Sequence, residues 1–255
     1  MLDHKSNCIT QWFPTLLNLG INVPETRIFH ANKASRMYMM KLAWGEEAEE
    51  PKCYRELIDA ISGAVKELGS PAFLRSGVTS AKHSYAESCY LRDSDARTIE
   101  ERVLQIVEFS ESVDMIGLPT DVWVVRKFIE GEYDFTAFAH MPVAREFRFF
   151  ARDGAFLCHH PYWPPDSIIR PMDIDKDITP LSREEMSRRL EHTQRPLQDD
   201  EFAHLKAKTV SVTHELMGAW SVDWMYDKEN KRWVLIDMAL MEMSFHWAGC
   251  KNGEK

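Results

Sequence analysis

No stretch of about 18 apolar residues occurs anywhere in the 255 residues, so no membrane-spanning helix is expected. No CxxC pair occurs either. The five cysteines (Cys8, Cys53, Cys89, Cys158 and Cys250) are odd in number and widely scattered. That pattern speaks for reduced thiols rather than a disulfide framework. The first residues, Met1 to Asn7, lack the apolar core of a secretory signal, and the expected location is cytoplasmic. Basic charge is scarce: 31 Lys and Arg stand against 40 Asp and Glu, for a net charge of −9. Non-specific nucleic-acid binding needs a basic surface, so nucleic acid is not an expected partner, and only a local basic groove stays open. Repeats and low-complexity segments are also missing. What is present is 44% hydrophobic residues, enough for a real core in one large domain or two to three lobes.

Apolar spacing places the elements. Tyr54, Leu57, Ile58, Ile61 and Val65 recur at helical intervals between Pro51 and Leu68, and Gly69 stops the run. Ile99, Val103, Ile106 and Val107 mark a second helix, capped by Asp95 or Thr98. Helices are also expected over 182–190 and 201–217. A short strand falls within 21–29 and a stronger one over 121–129. Residues 71–85 read as strand, small polar loop, strand. Asp153-Gly154 is the best hairpin turn, flanked by strands at 147–150 and 155–158. Residues 161–180 are proline-rich and acidic and read as a long loop, with Trp163 in it as lid or as packing. By chain order this gives a lead-in over 1–70, a small lobe over 71–130 and a larger lobe over 131–255.

The richest chemistry lies in residues 221–238. Two strand candidates flank a polar turn, and each carries one acid among apolar residues, Asp223 and Asp237. A carboxylate in an apolar strand is costly unless something pairs with it. With the turn centred near Glu229, Asp223 lies opposite Leu235. Asp237 is then its diagonal neighbour on the same face, about 7–8 Å away. Such a pair can share Mg²⁺. A register shift of one residue would put the two on opposite faces. Ordinary pairing with basic neighbours is the other reading.

Four further patterns bear charge. Arg75-Ser76-Gly-Val-Thr-Ser-Ala-Lys82 sets small hydroxyl residues between two bases. It can cradle phosphate, or be a plain surface turn. It is no Walker loop, because the Gly-Lys-Ser/Thr order is absent. Val124 to Gly131 is an apolar strand ending in Glu-Gly, where backbone groups near Phe128 and Ile129 could meet an adenine edge. In the alternating run Arg145 to Phe150, Glu146 and Arg148 share a face, which suggests a charge-handling site or a cross-strand ion pair. Cys158-His159-His160 argues against zinc, because adjacent strand histidines point apart and no second ligand pair has suitable spacing.

Taken in order, Arg75/Lys82, Arg126 to Glu132, Glu146-Phe-Arg148, Asp223 and Leu235-Ile-Asp237 resemble the ATP-grasp superfamily. The nearest likeness is to its compact microbial clade with a paired Arg–Lys phosphate contact. A eukaryotic cell-division-cycle ATP-grasp factor that assists initiation-factor assembly is similar too. The resemblance spans roughly 70–240 and implies an α+β fold of two lobes clasping ATP. It implies Arg75, Ser76 and Lys82 on the phosphates and Lys127 as second nucleotide lysine. It puts the Phe128 and Ile129 backbone at the adenine, Glu132 or Asp134 at the ribose and Arg148 near the transferred phosphoryl group. Asp223 and Asp237 would hold Mg²⁺. The family usually has acid-x-Asn here, whereas this chain has Asp237-Met-Ala239, and Glu242 is the candidate replacement. The implied activity is an ATP-dependent carboxylate–amine ligase with Lys82 and Arg148 as catalytic residues. Its carboxylate and amine substrates are unknown, and a peptide or protein is among the candidates. The alternatives are an ATP-binding assembly factor for a protein partner and an ATP-grasp kinase.

Overall fold

The computed structural model describes residues 4–113, 117–138, 140–169, 181–248 and 250. In chain order the elements are α1 (Ile9–Asn18), β1 (Thr26–His30), α2 (Lys33–Ala43), α3 (Lys52–Leu68), β2 (Ala72–Ser76), β3 (Tyr90–Leu91), α4 (Ala96–Ser112), β4 (Val122–Lys127), β5 (Tyr133–Ala137), β6 (Met141–Ala144), β7 (Glu146–Arg152), β8 (Ala155–Pro161), α5 (Pro165–Ile169), α6 (Arg183–Thr193), α7 (Asp199–Leu216), β9 (Ala219–Asp227) and β10 (Arg232–Leu240). Short 3₁₀ turns occur at Lys82–Glu87 and Met241–Met243. Of the loop expected over 161–180, residues 170–180 lie outside the described residues. The part before them pairs in β8 and then forms α5.

The chain forms two compact units. One consists of Pro24–Phe128 and Phe138–Met141. Its antiparallel sheet runs β1-β4-β2-β3. The five apolar residues expected on α3 are all buried, and Gly69 ends the helix at φ +88, where a glycine pays no steric penalty. On α4 the Asp95 carboxylate accepts from Thr98 N–H at 2.8 Å, so Asp95 is the cap. These helix faces pack on Ala72 and Leu74 of β2 and Trp123 and Val125 of β4. Strand alternation then turns Arg75, Val124 and Arg126 to the opposite face.

The strand expected at the end of 71–85 is instead the 3₁₀ turn. Ala81 adopts φ +50 and reverses the chain, and the Ser88 hydroxyl donates to the Ala81 and Ser84 carbonyls. Once those bonds close a tight turn, no extended ladder can start there.

The second unit consists of Met1–Val23, Ile129–Ala137 and Pro142–Lys255. Its antiparallel sheet runs β10-β9-β7-β8. Helix α7 covers one face, where Trp224 Nε1 donates to Thr209 Oγ1 and Phe149 stacks on Phe202. Its N-terminus closes with a capping box between Gln198 and Glu201. The β7–β8 turn has Asp153 at φ +49 and Gly154 at φ +79, as a two-residue hairpin requires. Residues far apart in the chain meet in this unit: Asn7 Oδ1 accepts from Leu240 N–H at 2.8 Å, and Asn22 O from Leu235 N–H at 2.9 Å.

The β9–β10 register differs from expectation. Leu235 lies opposite Trp224, and a bulge at Ile236 brings Asp237 directly opposite Asp223. Trp233 and Leu235 share the helix-covered face with Trp224. The extra residue reverses the alternation, so the next odd-numbered residue, Asp237, points to the other face. Counting outward from the turn misses this, because a bulge leaves no mark in a hydrophobic pattern.

Candidate functional site

The face of the second sheet turned away from α7 is where polar residues collect. Across its four strands Asp237, Asp223, Arg148 and His160 stand in direct register. Arg148 and Asp223 are nearly fully buried. Arg148 grips Asp223 with a fork: Nε donates to Oδ1 at 2.7 Å and Nη2 to Oδ2 at 2.8 Å. Its Nη1 donates to the Phe245 carbonyl at 3.1 Å, and its guanidinium carbon lies 4.5 Å from the Tyr162 ring centre. Burial works against the charged guanidinium, but Asp223 and Asp237 more than offset it and hold the Arg148 pKa above its ordinary value. Burial pushes the neighbouring His160 down to about 4, so it is neutral at pH 7.

The donor set suits a hard divalent cation. Carboxylate oxygens are what Mg²⁺ takes. Asp223 commits one lone pair of each oxygen to Arg148, out of about four on the group. Asp237, directly opposite, also accepts from Met238 N–H at 3.0 Å. Glu242 is on the 3₁₀ turn after β10 and is exposed. Among the described residues one trio of His, Cys, Asp or Glu side chains converges within 4.8 Å, and Glu242 is not in it. Ala239, where the resemblance would put an Asn, faces Ser221, whose hydroxyl lies 2.6 Å from that of Ser244.

In the other unit Arg75 is buried at the end of β2, and its Nε donates to the Ser76 carbonyl. The Ser76 hydroxyl is taken up by its own loop: it accepts from Val78 and Thr79 N–H and donates to the Thr79 carbonyl. Ser76 thus shapes the loop that leads to Lys82. Lys82 opens the 3₁₀ turn, half-buried. Burial raises the pKa of the Cys89 thiol to about 12, against lowering pulls from the Ser88 hydroxyl and from Lys82 and Arg75. Lys127 is exposed at the end of β4, paired with Ala72 on the helix-covered face. Arg126, buried and on the face of Arg75, is the cation that sequence reasoning passed over. Strand alternation was the signal that could have found it. Phe128 packs edge-on against Tyr90 at 5.6 Å. Outside the sheet ladders no backbone partner of Phe128 or Ile129 occurs among the described residues.

The two ribose candidates are both tied to α6 and the residues after it. Arg195 Nη2 donates to both oxygens of Glu132 at 2.8 Å. Asp134 pairs with His192 and accepts from Arg189 through its carbonyl. Trp163 is buried and its carbonyl accepts from Gln194, so it packs rather than standing open. The sequence also hid one convergence. Cys158 meets His246 and Cys250, and the His-x₃-Cys spacing of 246–250 is the second ligand pair that sequence reading had counted as absent.

This α+β arrangement, with its polar face on an antiparallel sheet under one long helix, is that of the ATP-grasp fold. The pattern of the ATP-grasp domain, family 3 of the R2-K clade, matches residues 65–210, more than half of the chain, and the chain belongs to that family. The match includes every phosphate-side candidate and Arg148, and it stops before Asp223. No curated protein matches. Among solved structures the chain is similar to Cdc123 from Schizosaccharomyces pombe, with a TM-score of 0.54 at 13% identity, over 93% of this chain and 84% of that one. At that identity the likeness is one of fold. D-alanyl-alanine synthetase A from Vibrio cholerae gives a TM-score of 0.49 at 11% identity, over 92% of this chain and 54% of that one.

Proposed function

We propose that the protein is an ATP- and Mg²⁺-dependent ligase that joins a carboxylate to an amine through an acyl phosphate. The observation that carries this reading is the row Asp237–Asp223–Arg148 on one sheet face. A substrate carboxylate oxygen attacks the γ-phosphorus of ATP, the bond to the bridging oxygen breaks, and ADP leaves. The amine nitrogen then attacks the acyl carbon, phosphate departs, and the amine gives up a proton. Arg148 neutralises charge on the moving phosphoryl group, and Lys82, Arg75 and Lys127 hold the nucleotide phosphates. The Phe128–Ile129 backbone meets the adenine, and Glu132 or Asp134 takes a ribose hydroxyl in competition with Arg195 or His192 respectively. Asp223 and Asp237 would hold Mg²⁺, which supplies Lewis-acid polarisation and charge neutralisation when bound.

The test is ADP release from Mg-ATP across pools of amino acids, peptides and proteins, followed by mass analysis of the product. One aimed charge in such a site is worth about 3–4 kcal/mol in the transition state. Lys82→Ala and Asp237→Asn should therefore each lose at least about a hundredfold in turnover while keeping the fold. Undiminished ADP release in both variants would sink the assignment. A phosphorylated product that persists without amine would mark a kinase.

A second reading rests on Ala239. With no Asn beside Asp237 and Asp223 committed to Arg148, metal coordination is thinner than turnover calls for. The protein would then bind Mg-ATP to hold a protein partner. Tight ATP binding with no ADP release across the whole screen, and one stoichiometric partner in a pull-down, would select this reading.

A further inference from the structure

One row along the same sheet face from Arg148, Cys158 of β8 stands level with Phe150, Ser221 and Ala239. The segment after β10 brings His246 and Cys250 to it. Cys158 Sγ lies 3.0 Å from His246 Nε2, and the Cys158, His246 and Cys250 ligand atoms all fall within 4.8 Å of one another. Cys250 Sγ also donates to the His159 carbonyl at 3.2 Å. Rings flank the cluster: the exposed His246 lies 4.2 Å from Phe150 and stacks on His160, which stacks on Trp247. We propose that Cys158, His246 and Cys250 bind one zinc ion that pins the segment after β10 to β8.

The donor chemistry selects the metal. Two thiolates and an imidazole suit borderline-soft Zn²⁺, and Mg²⁺ prefers oxygen. The geometry is close. Zn–S of about 2.3 Å and Zn–N of about 2.0 Å in a tetrahedron put sulfur and nitrogen about 3.5 Å apart and the two sulfurs about 3.8 Å apart. Opening the Cys158–His246 pair by roughly half an ångström accommodates the ion. Three protein ligands leave a fourth position for water. The site differs in location and in ligand chemistry from the carboxylate pair. It has a bearing on that pair, because the pinned segment carries the Phe245 carbonyl that accepts from Arg148.

The experiment uses the whole chain with thiols reduced. Zinc is measured in protein purified without chelator, and Co²⁺ is then titrated into the stripped protein. One equivalent of Co²⁺ should bind with a thiolate charge-transfer band. Cys158→Ser and Cys250→Ser should each cut that band by about half and weaken binding at least tenfold, as even ligand-supporting residues do. Cys53→Ser, at a half-exposed thiol of the other unit, should change nothing. Because Cys158 is buried and its variant is at risk of misfolding, a second readout keeps the wild-type chain: Zn²⁺ should protect Cys158 and Cys250, but not Cys53, from alkylation. Absence of the band, an unchanged band in both variants, or a Cys158–Cys250 disulfide as the resting form would overturn the proposal.

Discussion

Arg148 commits three of its five donors inside a nearly closed setting, so its removal leaves Asp223 charged, buried and unpaired. Breaking such a pair from one side costs about 3–5 kcal/mol. Arg148→Met should lower stability by that amount in urea unfolding, and adding Asp223→Asn should recover much of it. A double-mutant coupling near zero would show that the fork contributes nothing. Glu201 gives a pH prediction. Burial alone would raise its carboxyl, but the Arg145 fork, the Gln198 N–H and Trp233 Nε1 hold it down to about 2, below the ordinary 4.5. A depressed carboxyl adds stability above the unfolded value. That stability is lost as pH falls from about 4.5 to about 2, and amounts to at most about 3 kcal/mol. Urea midpoints measured down this range should fall more steeply for the native chain than for Glu201→Gln.

At the level of elements, Gly131 shows how tightly the strand exit is built. A Cβ there would lie 2.7 Å from Ala144 Cβ and 3.0 Å from Met225 Sδ. Ala144 Cβ sits on a sheet ribbon and has little room to yield, so Gly131→Ala should cost about 1–3 kcal/mol, read as a lowered melting temperature. Helices α3 and α4 were legible in the sequence, because their buried residues repeat at 3.6 and their stop and cap are ordinary. Helix α1 has the same repeat in Ile9, Trp12, Phe13 and Leu16, but Pro14 inside it masks the pattern. Helix α2 buries only Ser35 and Met39 and so carries almost no stripe. Strand β5 buries Phe135 alone and β6 is four residues long, so neither shows a repeating pattern. Of the candidate site, the pairing of Arg148 with an acid was foreshadowed by alternation. The bulge was not. It also means that one residue too many or too few between Trp233 and Asp237 would turn the acid into the apolar layer. The hairpin therefore tolerates substitution far better than insertion or deletion.

For the whole molecule, binding is the accessible handle. A ligand that binds only the folded state stabilises it by RT ln(1 + [L]/Kd), about 2.7 kcal/mol at a hundred times Kd. Mg-ATP should raise the melting temperature more than ATP with chelator, and Asp237→Asn should erase that difference. Equal shifts in the native chain would remove Asp237 from metal binding. Among the described residues no helix is long and apolar enough to cross a membrane. The unit that holds the acid pair draws Asn7 and Asn22 together with Leu240 and Leu235. Those contacts impose an order on synthesis. Residues 24–128 emerge with nearly all of their own sheet and core and are free to fold at once. Helix α1 emerges before them and must wait for α7, the element it packs against, roughly 10–40 s at ribosomal speeds of about 5–20 residues per second. In that interval Ile9, Trp12, Phe13 and Leu16 lack their final partners, which leaves four apolar side chains open to other contacts.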